Sequence, residues 1–332
     1  MTKHSAVLTG LGAWLPPRVV DNDELARRLD TSEEWIRTRT GIRARHIADP
    51  ETSTVDMAVR AGENALRSAG CDVVDALVLA TTTPDQLCPA SAPQVASGLG
   101  LSGIAAVDVN AVCSGFVYAL ATAAGLIAGE IADRVMVVGS DAFSRLCDPD
   151  DRTTVPIFGD GAGAVVLRVG LADEPGAFGP FDLHSEGEHA DLLMVPAGGA
   201  KQRTSDDPHE HFVTMHGTAV FRHACARMTE SARTVLDRAG MSLGEVDRFV
   251  GHQANIRILQ ATAKRLGLGE ERLVVNIGHT GNTSAASIPL ALADGCEEGS
   301  IQPGHRVLMT AFGAGLTWGS TVLTWPDVKP AR

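Results

Sequence analysis

The chain has 332 residues, of which 44% are hydrophobic and 20% charged, and its formal net charge is −12. A chain of this length can bury a sizeable core, whereas its acidity argues against general binding to nucleic acid or to an anionic membrane. No apolar run reaches membrane-spanning length. The six cysteines are scattered without paired spacing, which argues against a zinc site and a disulfide framework and fits a reducing compartment.

The first predicted element is a strand in "MTKHSAVLTGLGAWLP", which ends near Gly12 and Pro16. This stretch lacks the long apolar core and small-residue cleavage site of a signal peptide, so we expect a cytoplasmic protein. A helix is predicted next, beginning at a capping box of Thr31 and Glu34 and containing Trp35.

The most informative feature of the sequence is an internal repeat. Segments 65–80 ("ALRSAGCDVVDALVLA") and 235–252 ("VLDRAGMSLGEVDRFVGH") each place a helix end and a Val-Asp pair before an apolar strand. Val74 and Val246, which begin these pairs, lie 172 residues apart, and the same offset relates "RVMVVGSD" to "RVLMTAFG". One offset shared by elements in the same order indicates two halves of like topology.

A third strand pair, "GAVVLRV" (163–169) and "GSTVLTW" (319–325), matches after a shift, as if the first half held an extra loop near 142–157. We therefore divide the chain into an N-terminal half, 1–172, and a C-terminal half, 173–332. Short Val-rich strands between helices favour buried, largely parallel sheets. Two such halves packed together predict an α/β fold with layers of helix, sheet, helix, sheet and helix.

Cys113 lies at a predicted strand-to-helix turn in "VDVNAVCSGFVYALA". The repeat places Ala285 at the corresponding point of the second half, so the fold can do without a thiol there. Unpaired N–H groups at a helix N-terminus favour an anion, and we expect this position to lower the pKa of the thiol. Cys113 is therefore a candidate nucleophile for acyl transfer.

Two further side chains are candidates for the same site. His252 ends the predicted strand "VDRFVGH", at the kind of strand end where α/β folds gather active-site groups. Asn282 precedes the helix that mirrors the Cys113 helix, and it is either a functional amide or a helix cap. The histidines in 208–212 and 216–228 show no consistent ligand spacing, so no metal site is predicted.

Six motifs together resemble the thiolase-fold condensing enzymes, and most closely the β-ketoacyl-[acyl-carrier-protein] synthase III family, over about residues 6–325. They are "EEWIRTRTGIRARHIA" (33–48), "AVCSGFVYAL" (111–120), "CDPDDRTTVPIFGDGAGAVVL" (147–167), "GHQANIRIL" (251–259), "GNTSAASIPLAL" (281–292) and "AFGAGLTWGS" (311–320). The resemblance implies a thiolase-like fold of two duplicated halves in a five-layer α-β-α-β-α sandwich. It also implies an enzyme that primes fatty-acid or polyketide synthesis.

By this resemblance Cys113, His252 and Asn282 form a catalytic triad. Cys113 takes an acyl group from acyl-CoA as a thioester, and malonyl-acyl-carrier protein then enters the same tunnel. His252 and Asn282 stabilise the enolate that forms as CO₂ departs, while the backbone N–H groups of Cys113 and Ala314 form a second oxyanion hole. The implied reaction is a decarboxylative Claisen condensation in which both thioesters are substrates and no cofactor is needed.

The resemblance also assigns ligand-binding positions. Trp35, Arg39, Arg152 and Asn255 match CoA-binding positions, although Trp35 could be a core residue and the two arginines merely solvated. Phe312 matches a wall of the active site.

Cys88 occupies the place where family members that prefer acetyl-CoA carry a phenylalanine, which reaches across the dimer and closes the partner's acyl pocket. A thiol there predicts a primer longer or bulkier than acetyl. Alternatively, Leu87 or a shifted loop fills the gap.

Arg257, Lys264 and Arg265 recur on one face of a predicted helix just after His252. This face is either simply solvated or a docking surface for the acidic carrier protein beside the tunnel mouth.

Other functions on this fold remain open at this stage. An acyltransferase that acts without decarboxylation would not need Asn282, and a non-catalytic partner subunit would lack Cys113. A chalcone-synthase-like enzyme matches the carrier and CoA motifs less well. Family relatives are homodimers, so we expect one here. The acyl primer and the pathway are not set by the sequence.

Overall fold

The computed structural model describes residues 4–332. The strands are β1 (His4–Trp14), β2 (Val19–Asp21), β3 (Ala44–His46), β4 (Ala76–Ala80), β5 (Ala105–Val109), β6 (Arg134–Asp141), β7 (Gly161–Leu171), β8 (Phe178–Ser185), β9 (Leu193–Met194), β10 (Thr214–Met215), β11 (Arg248–Gly251), β12 (Arg306–Gly313) and β13 (Thr317–Thr324). The helices are α1 (Asn22–Ala26), α2 (Glu33–Thr40), α3 (Thr54–Ala69), α4 (Ala92–Gly98), α5 (Gly115–Ala128), α6 (Gly217–Ala239), α7 (Ile256–Leu266), α8 (Ile277–Thr280) and α9 (Ser287–Glu297). Among these helices, none combines the length and the apolar character needed to cross a membrane.

Two sheets repeat one strand order. The first runs β1-β7-β6-β4-β5, and the second runs β8-β13-β12-β11 when read in the same direction. In each sheet, β6 or β12 pairs in parallel with its inner neighbour and antiparallel with the strand that follows it in the chain. At the place of a fifth strand, the second sheet has only a single parallel bridge between Phe249 and Leu273.

The expectation of largely parallel sheets is therefore only half right. The strands β6 and β7, like β12 and β13, are joined by loops without a crossover helix, so they return antiparallel. The loop is residues 142–160 in the first half but only 314–316 in the second. This difference is the extra loop that the shifted strand match predicted.

The duplication extends to individual hydrogen bonds. Asp75 Oδ2 accepts the Arg134 N–H at 2.7 Å, and Asp247 Oδ2 accepts the Arg306 N–H at 2.8 Å. Arg134 O and Arg306 O in turn accept the N–H groups of the two aspartates. The second pair lies 172 residues after the first in the chain, and each pair fixes the start of a central strand.

The core confirms the five layers. Helices α5 and α9 lie between the two sheets, and their side chains join those of both sheets in one buried cluster. The strand "ALVLA" of β4 is buried at every residue and is a continuous apolar run. Helix α9 is buried at residues 287–295, which are apolar except for Ser287 and Asp294. Helices α3 and α4 cover the outer face of the first sheet, and α6 and α7 cover that of the second.

Candidate active site

A cavity of about 400 Å³ is lined by Cys113, His252 and Asn282 together. The three residues come from the ends of different elements of the two halves, and all three are at least 96% buried. Phe312 forms part of the wall, and Trp35, Arg39, Asn255 and Arg257 also line the cavity. The structure thus brings the three predicted triad residues to one place.

Cys113 lies in a tight turn, Val112–Ser114, directly before α5. Val112 has a φ of +47°, and Ser284, at the corresponding point of the second half, has a φ of +51°. Such left-handed backbone is costly for a β-branched residue. The two halves therefore share the same strained turn, and only the first half has a thiol on it.

The expectation of a lowered thiol pKa is wrong for the free enzyme. Burial raises the pKa of Cys113 to about 12, and the nearby Asp141 carboxylate adds to this effect. Desolvation of the thiolate therefore outweighs the benefit of the helix N-terminus. Cys113 rests as a neutral thiol.

The glycine-rich turn after β12 packs against the turn that carries the thiol. A Cβ atom at Gly313 would lie 2.9 Å from the backbone nitrogens of both Cys113 and Ser114, so only glycine fits there. Thr317 Oγ1 lies 3.0 Å from the carbonyl oxygens of both Ala111 and Ala314, and it links the two turns. Within residues 4–332 the Ala314 N–H donates no hydrogen bond, which leaves it available as an oxyanion donor.

His252 follows β11, and its backbone N–H donates to Thr310 O at 2.9 Å. Its Nδ1 lies 2.6 Å from Ser287 Oγ, which also accepts the Gln253 N–H at 3.3 Å. The buried Ser287 hydroxyl has no other acceptor for its proton among residues 4–332, so it donates to Nδ1, and the imidazole proton resides on Nε2. Burial lowers the pKa of His252 to about 3, so the ring is neutral at physiological pH.

Asn282 is held by its oxygen. Its Oδ1 accepts the Ser284 N–H at 2.9 Å, while its backbone N–H donates to Ile157 O and its carbonyl oxygen accepts the Gly159 N–H. This contact with the residue two positions on is an Asx turn and not a helix cap, because Thr283 precedes the turn Ser284–Ala286 and Ala286 precedes α9 as their N-cap residues. In the described part of the chain the Nδ2 amide makes no hydrogen bond of its own, and it remains a donor for a molecule in the cavity.

Three of the four predicted CoA-binding residues meet around one indole ring. The guanidinium carbons of Arg39 and Arg152 lie 4.8 Å and 5.5 Å from the centre of the Trp35 ring. Arg152 also pairs with Asp30 at 2.7 Å. The predicted Thr31–Glu34 capping box is wrong by one residue, because Ser32 has the extended backbone of an N-cap and its Oγ accepts the Trp35 N–H.

Asn255 caps α7 and joins it to α2. Its Oδ1 accepts the Arg257 N–H at 2.8 Å, and its Nδ2 donates to Arg39 O at 3.1 Å. Arg257 reaches Thr38 O at 3.0 Å. With Lys264 and Arg265 it forms an exposed basic face on α7, and Arg257 itself lies at the cavity.

Leu87 and Cys88 are not at the cavity of their own chain. Both lie on the loop between β4 and α4, where Cys88 is exposed and Leu87 is 74% exposed. Their assignment to the acyl pocket of a partner subunit stays a prediction.

The sequence interpretation missed several polar groups that position this site. Ser287 and Thr317 are described above. Asp141, fully buried at the end of β6, accepts the Thr82 N–H at 2.7 Å and the Ala285 N–H at 3.1 Å, which ties the two halves together. The signal available in the sequence was that Gly313 lies 172 residues after Asp141. A polar residue in one half and a glycine at the matching position of the other half mark a place where the two halves differ.

This fold and this group of cavity residues are those of a thiolase-like condensing enzyme. A family model described as 3-oxoacyl-[acyl-carrier-protein] synthase III matches residues 107–187, and the model of its C-terminal part matches residues 236–325. β-Ketoacyl-[acyl-carrier-protein] synthase III 5 of Streptomyces coelicolor is 56% identical over 327 residues, which cover 98% of each chain. The synthase III of Pseudomonas aeruginosa PAO1 is 52% identical over 327 residues, again 98% of each.

Solved structures agree with the sequence relatives. A crystal structure of 3-oxoacyl-(acyl carrier protein) synthase III from Pseudomonas aeruginosa PAO1 has a TM-score of 0.93 and 51% identity, and the match covers 98% of this chain and 100% of that one. The priming β-ketosynthase from the R1128 polyketide biosynthetic pathway has a TM-score of 0.91 and 36% identity, with 98% of both chains covered. The chain belongs to the 3-oxoacyl-[acyl-carrier-protein] synthase III family, and it is a condensing enzyme of the acyltransferase class. The resemblance seen in the sequence is confirmed.

Proposed function

We propose that this enzyme joins an acyl-CoA primer to malonyl-acyl-carrier protein by decarboxylative Claisen condensation, and that Cys113, His252 and Asn282 carry the reaction. The supporting observation is the hydrogen bonding of the two donors. The Nδ1 of His252 and the Oδ1 of Asn282 are engaged with protein groups, so the groups left for the cavity are N–H donors. Two neutral donors suit an enolate, since a buried charge would be costly.

In the first half-reaction the Cys113 sulfur attacks the acyl-CoA carbonyl. The developing oxyanion accepts hydrogen bonds from the N–H groups of Cys113 and Ala314. The C–S bond to CoA then breaks, and the proton of the neutral thiol leaves with the CoA thiol. Trp35, Arg39, Arg152 and Asn255 bind CoA beside the cavity in this proposal.

In the second half-reaction malonyl-carrier protein enters and its bond to the carboxylate breaks, releasing CO₂. His252 Nε2–H and Asn282 Nδ2–H donate to the enolate oxygen. The α-carbon attacks the acyl-Cys113 carbonyl, the bond to Cys113 breaks, and the thiolate takes a proton from solvent. The high pKa of this buried thiol, about 12, favours that last uptake. No metal, redox group or other cofactor takes part in this scheme.

The proposal includes the partners. The carrier protein docks on the basic face of α7, and two copies of the chain form a dimer in which Cys88 and Leu87 border the partner's acyl pocket, with Phe312 on the wall. The enzyme works in the cytoplasm at the start of fatty-acid or polyketide synthesis. The main alternative is acyl transfer without decarboxylation. No enolate would form in that reaction, so the Asn282 amide would have no oxyanion to stabilise.

The test separates acylation from decarboxylation. Intact-protein mass spectrometry with a panel of acyl-CoAs should show one acyl group on the unaltered enzyme, none on Cys113→Ala, and one on the control Cys71→Ser. His252→Ala and Asn282→Ala should keep measurable acylation of Cys113. Their release of CO₂ from malonyl-carrier protein should be slower by a factor on the order of 10²–10³. Acylation of Cys113→Ala at the normal rate, or unimpaired CO₂ release in either other variant, would contradict the assignment.

A further inference from the structure

A second group of ionisable side chains lies apart from the residues that line the Cys113 cavity. Glu186 and His189 belong to the segment around the turn Gly187–Leu192, and His223 lies on α6. The possible ligand atoms of these three residues all lie within 4.8 Å of one another, and each residue is half-buried. The two imidazole rings have their centres 4.8 Å apart.

Two imidazoles and one carboxylate are a set of ligands that binds zinc in proteins. Zinc bonds of about 2.1 Å in a tetrahedron place ligand atoms about 3.4 Å apart. The observed upper limit of 4.8 Å is wider than this by about 1.4 Å, a difference that side-chain rotations can close. A fourth position would be left for water. Cobalt, nickel and copper ions accept the same ligands, whereas magnesium and calcium prefer oxygen alone.

The backbone holds the three residues in place. Glu186 N–H donates to Leu316 O at 2.8 Å, and Leu316 N–H donates back to Glu186 O at 2.9 Å. His223 and Arg227 lie one helical turn apart on α6, and Arg227 contacts Glu186 Oε2 at 3.1 Å.

We propose that Glu186, His189 and His223 bind one divalent transition-metal ion, of which zinc is the best match. The ion would join the turn Gly187–Leu192 to α6. No metal site was predicted from the sequence because His189 precedes His223 by 34 residues, a separation that no local ligand spacing reveals.

Binding there would stiffen two walls of the active-site cavity. On α6, Val220 and Ala224 line the cavity on either side of His223 in the sequence. Glu186 is paired with Leu316, two residues after Ala314. The site is separate from the condensing chemistry, so its failure would leave the proposed function untouched.

The experiment is a Zn²⁺ titration against a chromophoric chelator, with the EDTA-treated full chain bearing Cys88→Ser to remove an exposed thiol. We expect one Zn²⁺ per chain, with affinity at least tenfold weaker in His189→Ala and in His223→Ala. Glu186→Gln keeps a hydrogen-bond acceptor for Arg227 but loses the charge, and it should also weaken binding. His211→Ala, which removes an exposed histidine outside the cluster, should bind like the parent.

Thermal unfolding provides an independent measurement. Zn²⁺ should raise the Tm of the parent and of His211→Ala, because a ligand that binds the folded state stabilises it, and it should not raise that of His189→Ala. His189 is on a surface turn, so this variant remains informative even where His223→Ala fails to fold. Absence of stoichiometric binding to the parent would overturn the proposal, as would binding that His189→Ala leaves unchanged or that His211→Ala weakens equally.

Discussion

His252 Nδ1 lies 2.6 Å from the hydroxyl of Ser287, the first residue of α9. The buried serine has no other acceptor for its proton among residues 4–332, so it donates to the imidazole and keeps the ring proton on Nε2. The histidine is thereby a neutral donor toward the cavity. A helix of the second half therefore sets the tautomer of a histidine that follows a neighbouring strand.

Removing this hydroxyl should impair decarboxylation selectively. In Ser287→Ala the Nδ1 atom loses its donor, the other tautomer becomes accessible, and CO₂ release should slow about tenfold, the loss expected for one hydrogen bond. Acylation of Cys113 by acyl-CoA should be unchanged. The measurements are the two half-reactions and the ¹⁵N shifts of the His252 ring, which report its tautomer.

Ser300→Ala is the matched control, because it removes a hydroxyl that contacts Gly295 O near the other end of α9. Equal slowing of both half-reactions in Ser287→Ala, with unchanged ring shifts, would mean that Ser287 is merely structural.

The burial of His252 predicts a specific pH dependence of stability. Its pKa is lowered from the ordinary 6.5 to about 3. Between these values the unfolded chain binds a proton that the folded chain does not, so the free energy of unfolding falls as the pH drops below 6.5. The loss is up to about 1.4 kcal/mol per pH unit.

Denaturant unfolding at pH 7 and pH 5 measures this effect. The unaltered enzyme should lose about 2 kcal/mol more than His252→Gln over that interval. His211→Gln, at an exposed position, should behave like the unaltered enzyme. If the pH profiles of the unaltered enzyme and His252→Gln run parallel, the imidazole is not held neutral by the fold.

Much of the fold could be predicted because the same order of elements occurs twice in the sequence. The pairs Asp75–Arg134 and Asp247–Arg306 make the same hydrogen bonds at one offset, and such side chains are visible in a sequence. The antiparallel return of β13 could have been predicted, because the five residues between the predicted strands 306–313 and 319–325 are too few for a crossover. The return of β7 could not, because the loop 142–160 is long enough for one.

The site was predicted less completely than the fold. Cys113 and His252 break the repeat, since they face Ala285 and Ala80, and this makes them conspicuous. Asn282 does not break it, because Asn110 occupies the same place in the first half and makes the same contact with the backbone. The thiol pKa was predicted wrongly because a helix N-terminus can be read from sequence, whereas full desolvation depends on what packs around it. Ser287 was missed because serine at a helix start is ordinarily a cap.

The basic face of α7 should affect the carrier-protein substrate alone. Lys264→Glu should raise the KM for malonyl-carrier protein about three- to tenfold, because it replaces an attractive charge with a repulsive one facing an acidic partner. The KM for acyl-CoA should not change. Lys264 is the residue of choice, since Arg257 also contacts Thr38 and lies at the cavity.

Lys329→Glu makes the same change in charge on an exposed residue near α3, and it should leave both KM values unaltered. The difference between the two variants should shrink with salt, which screens charges beyond about 10 Å at 0.1 M ionic strength. Equal losses for both substrates in Lys264→Glu would indicate damaged structure.

The length of the primer is the last prediction, and it concerns Cys88. By family resemblance, a phenyl ring at this place closes the partner's acyl pocket around an acetyl group, and a thiol leaves room for several more methylene groups. Each methylene newly buried in a dry pocket contributes about 0.8 kcal/mol. The unaltered enzyme should therefore have a higher kcat/KM for branched or medium-chain acyl-CoA than for acetyl-CoA, by several-fold per methylene.

Cys88→Phe should narrow this preference towards acetyl-CoA, and Cys88→Ala, which adds no bulk, should keep the unaltered profile. Leu87 offers the competing explanation, because it is large and 74% exposed in the single chain and could fill the space in a dimer. Leu87→Ala separates the two, since it should widen the preference only where Leu87 occupies the pocket. Preference of the unaltered enzyme for acetyl-CoA, with no narrowing in Cys88→Phe, would rule out Cys88 as the residue that sets primer length.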